Sequence, residues 1–312
     1  MRLRLLCRTL RQDETGLSLK VRFVKTPYMT RETSKADLAR MVAVTPYLRY
    51  LDLPEGVFTD DPSCLALKQE LQGRCPDLRK MTYMGGAERS LELLPRGVWR
   101  NMEVIELSRL NMDPTILRTA LGSLPNLRAL KVSDMKAFDD HFFQHSDYLP
   151  PWPALSELVF SNVPNVTAEG LVSYLFRSDT QEALTTLSLT MTGVHPSALQ
   201  QILEYAPRLT FLSIIEAVAS SFPAGVPPLT SPSLETLHYE ITSAASVGTY
   251  SSTTASYYAY LTSSLISNGL PGLSKLYVRV CLISSFPIPS HSPNPLSIFL
   301  THIHRTPTSP NP

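Results

Sequence analysis

Apolar residues recur along this chain in a fixed pattern, and the clearest copy lies in residues 124–135, LPNLRALKVSDM. Here Leu127, Leu130 and Val132 occupy positions 1, 4 and 6 of a short motif. Successive residues of a strand face opposite sides of a sheet, so the apolar positions 4 and 6 point to one face and positions 3 and 5 to the other. We refer to this pattern as the strand motif. It predicts a β-strand with one buried face.

The strand motif occurs nine times, and its first positions are separated by 30, 24, 25, 28, 29, 25, 25 and 39 residues. Most of these intervals fall in the range of about 20–29 residues that is typical of leucine-rich repeats. One repeat cannot bury its apolar edge alone, so neighbouring repeats must stack. The sequence predicts an α/β leucine-rich-repeat solenoid, a horseshoe with a parallel inner sheet and outer helices. The other eight motifs are Leu48, Leu51, Leu53; Leu78, Met81, Tyr83; Met102, Ile105, Leu107; Leu155, Leu158, Phe160; Leu184, Leu187, Leu189; Leu209, Leu212, Ile214; Leu234, Leu237, Tyr239; and Leu273, Leu276, Val278.

Helix-start signals lie between the motifs. Aspartate precedes proline at Asp61–Pro62 and at Asp113–Pro114, which predicts an N-cap followed by proline at the first helical position. Thr167 and Pro196 precede two further apolar segments with helical spacing. The sequence therefore predicts a helix on the return leg of most repeats.

Domain organisation follows from where the motif starts and stops. Residues 1–280 are predicted to form the solenoid, which opens with a short helix and an incomplete strand in residues 17–24. A segment rich in Ser, Thr, Ala and Tyr at about 242–264 accounts for the longest interval, and we interpret it as an insertion plus a helix from about Ala255. Residues 281–312 contain many prolines and no strand motif, so we predict a disordered tail.

Charge and composition narrow the class of partner. The formal net charge is +1, which provides no strong field toward nucleic acid or an anionic membrane. We find no apolar run of the roughly 18 residues that a membrane span requires, and no secretory signal at the start. The four cysteines form no CxxC pair and are interpreted as buried free thiols. We therefore expect a cytoplasmic or nuclear protein that binds neither nucleic acid nor membrane.

Candidate chemical motifs are few, and each has a simpler structural interpretation. A Gly-Gly pair lacks the lysine of a phosphate-binding loop and is predicted to be a turn. Two aspartate pairs are interpreted as helix-cap and loop residues, with cation binding as the alternative, and three histidines fall in the predicted tail. We predict no catalytic residue, no cofactor site and no metal site, and hence not an enzyme. The residues considered are Gly85–Gly86, Asp60–Asp61, Asp139–Asp140, His291, His302 and His304.

The connection from Met135 to Trp152 is long and aromatic, and we predict a loop on the convex side. Its aromatic residues are interpreted as internal packing, with a partner-binding patch as the alternative. They are Phe138, Phe142, Phe143, Tyr148 and Trp152.

The predicted binding surface is the concave face of the sheet, where positions 3 and 5 of the motifs project. Charged residues lie in the N-terminal repeats and small polar residues in the middle. Only a minority of such positions is expected to contribute strongly to binding. The candidates are Tyr50, Asp52, Lys80, Thr82, Glu106, Lys131, Glu157, Ser188, Phe211, Ser213, His238 and Tyr277.

Longer strings within residues 3–278 resemble the leucine-rich-repeat part of fungal F-box proteins. They include KTPYMTRETSKADLARMV, LRYLDLPEGVFTDDPSC, WRNMEVIELSRLNMDP and VPNVTAEGLVSYL. The resemblance implies the substrate-recognition part of an SCF-type ubiquitin ligase receptor. In such a receptor an F-box binds a Skp-type adaptor and the repeats hold a protein substrate.

The family pattern places the F-box before the first repeat, and no F-box is recognisable in this sequence. We therefore expect an unidentified protein substrate as partner, with a Skp-type adaptor and cullin only if an F-box lies upstream. The alternative is a free-standing repeat scaffold or inhibitor with no link to ubiquitin.

Overall fold

The computed structural model describes residues 2–26, 33–144, 146–244, 252–279 and 297–301. Within these ranges eleven strands form one sheet, and each strand pairs in parallel with the next one along the chain. This order confirms the predicted solenoid. The strands are β1 (Phe23–Lys25), β2 (Tyr50–Asp52), β3 (Lys80–Met84), β4 (Val104–Ser108), β5 (Ala129–Ser133), β6 (Glu157–Val163), β7 (Thr186–Thr192), β8 (Phe211–Val218), β9 (Thr236–Ser243), β10 (Lys275–Arg279) and β11 (Ser297–Thr301).

Helices occupy most connections between the strands and cover one face of the sheet. The connection from β8 to β9, residues 219–235, contains no helix. The α-helices are α1 (Arg2–Gln12), α2 (Thr33–Val42), α3 (Leu65–Arg74), α4 (Glu88–Glu92), α5 (Pro114–Gly122), α6 (Ala168–Leu175), α7 (Ser178–Ala183), α8 (Leu199–Glu204) and α9 (Ser252–Ile266). Short 3-10 helices lie at Leu17–Lys20, Pro62–Cys64, Leu94–Arg96, Asp140–Phe143 and Pro196–Ala198.

The apolar positions of the strand motif form the core. All residues at positions 1, 4 and 6 of the nine motifs are at most 6% exposed, which confirms the predicted register. The first strand is shorter than predicted. Residues 17–20 form a 3-10 helix that follows the left-handed Gly16, and only Phe23–Lys25 pairs with β2. Val24 aligns with Leu51 there and packs against the core.

A repeated backbone contact fixes the register between neighbouring strands. The carbonyl oxygen of Arg128, at position 2, accepts the N–H groups of Ser156 and Glu157 from the next repeat, at 2.8 and 3.0 Å. A shift by one residue would break this contact and turn the apolar side chains to the wrong face. The same double acceptance occurs at Arg22, Arg49, Arg79, Glu103, Ser156, Thr185, Thr210 and Glu235.

The predicted helix starts are confirmed. Asp61, Asp113 and Thr167 each accept a backbone N–H two residues further on, at 2.7, 2.7 and 3.2 Å. The turn that begins at Pro196 has a cap that the sequence analysis missed. This cap is His195, whose Nδ1 accepts the backbone N–H two residues on at 3.3 Å.

The aromatic loop, residues 136–152, packs mainly on itself and on the core. Phe138 stacks on Phe142 with ring centroids 4.3 Å apart, and Phe143 stacks on Trp152 at 5.4 Å. The packing interpretation is confirmed for these four residues. It is wrong for Tyr148, which is 96% exposed.

Two C-terminal features differ from expectation. Helix α9 begins at Ser252, and β9 extends to Ser243, so the start of the predicted insertion is strand. Most of the predicted disordered tail lies outside the described residues. Within it, residues 297–301 form β11 and pair with β10, where the sequence analysis predicted disorder. The proposed domain boundary after residue 280 stays a prediction.

The burial difference between neighbouring positions on β5 generates a stability prediction. Leu130 is fully buried, whereas the Lys131 side chain is 39% exposed beside Glu106 and Glu157. Leu130→Ala should lower the free energy of unfolding by about 2–5 kcal/mol because it leaves a cavity. Lys131→Ala should cost less than about 1 kcal/mol. Urea unfolding followed by circular dichroism measures both, and equal losses would contradict the register.

Candidate functional site

Positions 3 and 5 of the motifs form two columns across the concave face, which is the sheet face opposite the helices. Their alignment is confirmed, while their role in binding stays a prediction. Asp52 aligns with Lys25 of β1, and the Lys25 Nζ lies 3.1 Å from its carboxylate. The position-5 column continues as Thr82, Glu106, Lys131, Val159, Ser188, Ser213, His238 and Tyr277. The position-3 column is Tyr50, Lys80, Val104, Ala129, Glu157, Thr186, Phe211, Thr236 and Lys275.

The charged residues of the N-terminal repeats are paired with one another. Glu106 lies at the centre and accepts from Lys80 Nζ and Thr82 Oγ1, both at 2.9 Å. Lys131 Nζ lies 3.2 Å from Glu157 and 4.0 Å from Glu106. We call these five residues the ion network. Two lysines and two glutamates balance one another, so this part of the face presents little net charge.

The C-terminal repeats present mainly uncharged and aromatic groups, with Lys275 and Glu240 as charged residues among them. The rings of His238 and Tyr277 lie 6.0 Å apart in an edge-to-face arrangement, and Phe211 is half-buried one column away. Ser213 is only 3% exposed, and its Oγ lies 3.3 Å from His238 Nδ1. Ser213 therefore orients the imidazole rather than forming open surface. Glu240 approaches the other ring nitrogen at 3.6 Å.

A third column on the same face escaped the sequence analysis. The strand motif ends at position 6, but β6 and β7 have seven residues and β8 and β9 have eight, so position 7 also faces the concave side. The detectable signal was the continuation of strand alternation past the motif. The column contains Met84, Ser108, Ser133, Ser161, Thr190, Ile215 and Glu240.

The sequence analysis also missed a row of ion pairs at the end of the sheet where the strands begin. Arg49 and Arg79 contact Asp77 at 2.8 and 3.4 Å, and Arg79 and Arg128 contact Glu103 at 2.8 and 3.1 Å. Burial tends to raise the pKa of Asp77, but hydrogen bonds from Arg79, Asn101 and Arg49 outweigh it and lower the pKa. The signal in the sequence was a charged residue at position 2 of four successive motifs.

Toward the carboxyl ends of the strands, the backbone at position 8 of four successive motifs adopts positive φ angles of 50–54°, directly after β4 and β5 and inside β6 and β7. The left-handed conformation is tolerated by asparagine and aspartate better than by other side chains. The residues are Arg109, Asp134, Asn162 and Met191. Next to Met191, the Glu216 carboxylate accepts the Thr192 N–H at 3.1 Å, and burial raises the pKa of Glu216.

The aspartate pairs have structural roles in the folded chain. Asp60 accepts from Lys68 Nζ and Ser90 Oγ, both at 2.6 Å, and Asp61 caps the following turn. Asp139 caps the 3-10 helix of the aromatic loop, and the Asp140 carboxylate holds the hydroxyl and the N–H of Thr167 at 2.6 and 2.8 Å. Within the described ranges, no cluster of three or more histidine, cysteine or acidic residues could hold a metal ion.

The remaining candidate groups occupy ordinary structural positions. Gly85–Gly86 forms a turn after β3, as predicted. Cys7, Cys64 and Cys75 are buried free thiols, and burial raises the pKa of Cys75 to about 11. Cys281, His291, His302 and His304 lie outside the described residues. No helix in the described part of the chain is both long and apolar enough to span a membrane.

Comparison with known proteins adds evidence on the fold. No protein-family model matches the sequence, and no curated protein matches it. Among solved structures, the chain is similar to a chain in the crystal structure of the Rad7 and Elc1 complex from yeast, with a TM-score of 0.58. The two share 13% sequence identity over 94% of this chain and 70% of that chain. At this identity the likeness shows a shared fold.

The hydrogen bonds that Asp60 accepts predict how its contribution to stability depends on pH. Burial tends to raise the pKa of Asp60, but bonds from Lys68, Ser90 and the Arg89 N–H outweigh it and lower the pKa. A carboxyl group with a lowered folded-state pKa stabilises the protein above its ordinary pKa and loses that effect as the pH falls. Asp60→Asn should therefore be less stable than the unmodified chain at about pH 7, and the difference should shrink toward about pH 3.

Urea unfolding at both pH values measures this difference. Glu92→Gln, at an exposed glutamate, is the control and should have little effect at either pH. A pH-independent loss in Asp60→Asn would show that the carboxylate charge is not what matters.

Proposed function

We propose that this chain is a protein-binding module that holds its partner on the concave face. The observation that carries the proposal is the continuity of the three columns, which run in register from β3 to β9 and, in two columns, on to β10. Repeat proteins characteristically bind partners on such extended concave surfaces. The partner class is a folded protein or peptide, with no nucleic acid and no membrane.

The two halves of the face should contribute differently to binding. The ion network is already paired, so a partner that covers it must remove water from charges that gain no new counter-charge. Phe211, His238 and Tyr277 offer aromatic rings together with polar atoms, the combination that is enriched at binding hot spots. We therefore assign the main contact to β8–β10. The ion network then lies at the rim, where charges mainly affect orientation and association rate.

Binding rather than catalysis also fits the state of the acidic side chains. Asp60, Asp61, Asp113, Asp139 and Asp140 all accept hydrogen bonds from neighbouring backbone or side-chain donors. A carboxylate occupied in this way stabilises a turn or helix start and is poorly placed to exchange protons with a substrate. We propose a non-enzymatic role, without cofactor or metal.

The more specific proposal is the substrate-recognition part of an SCF-type ubiquitin ligase receptor, acting in the cytoplasm or nucleus. It rests on the resemblance of several long strings to the repeats of fungal F-box proteins. In this proposal a Skp-type adaptor and cullin bind through an F-box in a longer form of the protein. The concave face then holds the protein to be modified.

The binding face is tested by capture from native lysate followed by titration of the purified partner. The double variant Phe211→Ala with Tyr277→Ala should lower affinity at least tenfold, because hot-spot residues contribute about 2 kcal/mol or more. Glu106→Gln, in the ion network, should lower it less than about threefold. Tyr148→Ala removes an exposed aromatic side chain from the helical side and is the matched control. Unchanged affinity in the double variant, with its circular dichroism intact, would rule out β8–β10 as the contact.

The link to ubiquitin is tested separately with a Skp-type adaptor. The repeats alone should not co-purify with the adaptor, because they lack the F-box helices that bind it, whereas a form extended upstream with an F-box should. Adaptor binding by the repeats alone would contradict the proposal that the F-box binds the adaptor and the repeats bind the substrate. Binding by neither form, with partner capture intact, would favour a free-standing scaffold.

A further inference from the structure

A cavity of about 490 Å³ lies on the helical side of the sheet, away from the concave face. It is bounded by α5, the end of the aromatic loop, α6 and the residues that lead into α7. Arg118 enters it from α5, Trp152 from the loop, and Tyr174 from α6. Its volume is within the range of about 300–1,000 Å³ that small-molecule sites occupy.

Arg118 brings a buried positive charge to this cavity. The residue is 5% exposed, and its guanidinium donates from Nε to the Pro150 carbonyl at 3.3 Å and from Nη1 to the Gln144 carbonyl at 2.5 Å. Neither acceptor carries a charge. In the part of the chain that the structure describes, Nη2 has no hydrogen-bond partner and no carboxylate forms an ion pair with Arg118. A buried cation without a counter-charge is costly, and ordinarily a carboxylate offsets it.

A second arginine lines the cavity, but it has a counter-charge. Arg177 also lines the cavity, donates from Nη1 to the Trp152 carbonyl at 2.7 Å, and forms a two-point contact with Asp179. Asp179 therefore neutralises Arg177 and leaves Arg118 unmatched. Burial, followed by the repulsion of Arg177, lowers the pKa of Arg118.

Aromatic side chains form the rest of the wall. Phe143, Trp152 and Tyr174 are buried at the cavity, and the Tyr174 hydroxyl already bonds to Leu155 N at 2.9 Å. Phe176 lines the cavity and is 76% exposed, which places it at the mouth. A ligand here would meet the guanidinium of Arg118, the paired guanidinium of Arg177 and a mainly apolar, aromatic surface.

We propose that this cavity binds a small organic carboxylate with an aromatic or branched apolar body. The carboxylate accepts from Arg118, and the body contacts Trp152, Phe143 and Phe176. A structural role for Arg118 in holding the aromatic loop accounts for its Nε and Nη1 contacts, but among the described residues it leaves Nη2 and the charge without a partner. One unmatched positive charge balances the single negative charge of a carboxylate, whereas a phosphate monoester carries about −1.5 to −2 at pH 7. This site is independent of the binding proposed for the concave face.

Benzoate and its neutral analogue benzamide test the proposal on the full chain, at equal ionic strength adjusted with sodium chloride. Benzoate should raise the melting temperature and bind at least about tenfold more tightly than benzamide in calorimetry, since hydrogen bonds to an ionised acceptor are roughly twice as strong as neutral ones. Ser173→Trp, at an exposed residue lining the cavity, should abolish the benzoate effect while leaving Arg118 in place. Equal effects of the two compounds, or a benzoate effect that survives Ser173→Trp, would overturn the proposal.

A second pair of variants keeps the test decisive if Ser173→Trp does not fold. Ser173→Glu supplies a carboxylate from the wall of the cavity, and Ser173→Gln is its uncharged match. The Glu variant should melt at a higher temperature than the Gln variant and should no longer respond to benzoate. Equal melting temperatures together with a full benzoate response in both variants would show that the anion binds elsewhere.

Discussion

The structure depends on one contact that is repeated between neighbouring repeats: the buried apolar side chains of one strand pack on those of the next. In each case a position-2 carbonyl oxygen accepts two N–H groups from the next repeat and fixes the register. Burying one leucine side chain contributes about 1.5–3 kcal/mol, and no repeat can obtain this alone. The contact recurs from Arg22 to Glu235. Because the side-chain period of a strand is two residues, the same contact sets which residues reach the concave face. The register that buries the apolar side chains therefore also determines the composition of the concave face.

The concave face divides into two chemical environments. Toward the N-terminus, Glu106 lies close to Lys80 and Lys131, and the opposite charges largely neutralise one another. Toward the C-terminus, rings and hydroxyl groups take their place, with Ser213 holding His238. The paired side chains are half-buried, and their charges cancel locally, so the network keeps the surface potential of this half of the face low. The aromatic half offers area that a partner can bury without separating paired charges.

The helical side follows a different rule, because its polar groups mostly serve the fold. Asp61, Asp113 and Thr167 satisfy the free N–H groups at helix starts, and Asp60 and Asp140 tie loops to neighbouring repeats. Arg118 departs from this rule, since its charge is buried beside a cavity and, within the described ranges, meets only carbonyl oxygens. That contrast distinguishes the cavity from the rest of the surface.

The sequence by itself determined the repeat, the strand register and the main helix starts, because these depend on local spacing: the alternation of strand residues and the caps at Asp61 and Asp113 are set within a few positions. The ion network around Glu106 and the unmatched charge of Arg118 were decided only by the tertiary structure. The position-7 column left a signal in the strand alternation, but the structure was needed to show how far each strand runs. Each depends on which residues of different repeats are brought side by side, and on how far a strand continues once its neighbours pair with it. The same holds for Tyr148, which is exposed although the other four aromatic residues of its loop are buried. The spacing of residues along the chain does not determine which aromatic side chains of a loop are buried, because that depends on packing against other repeats.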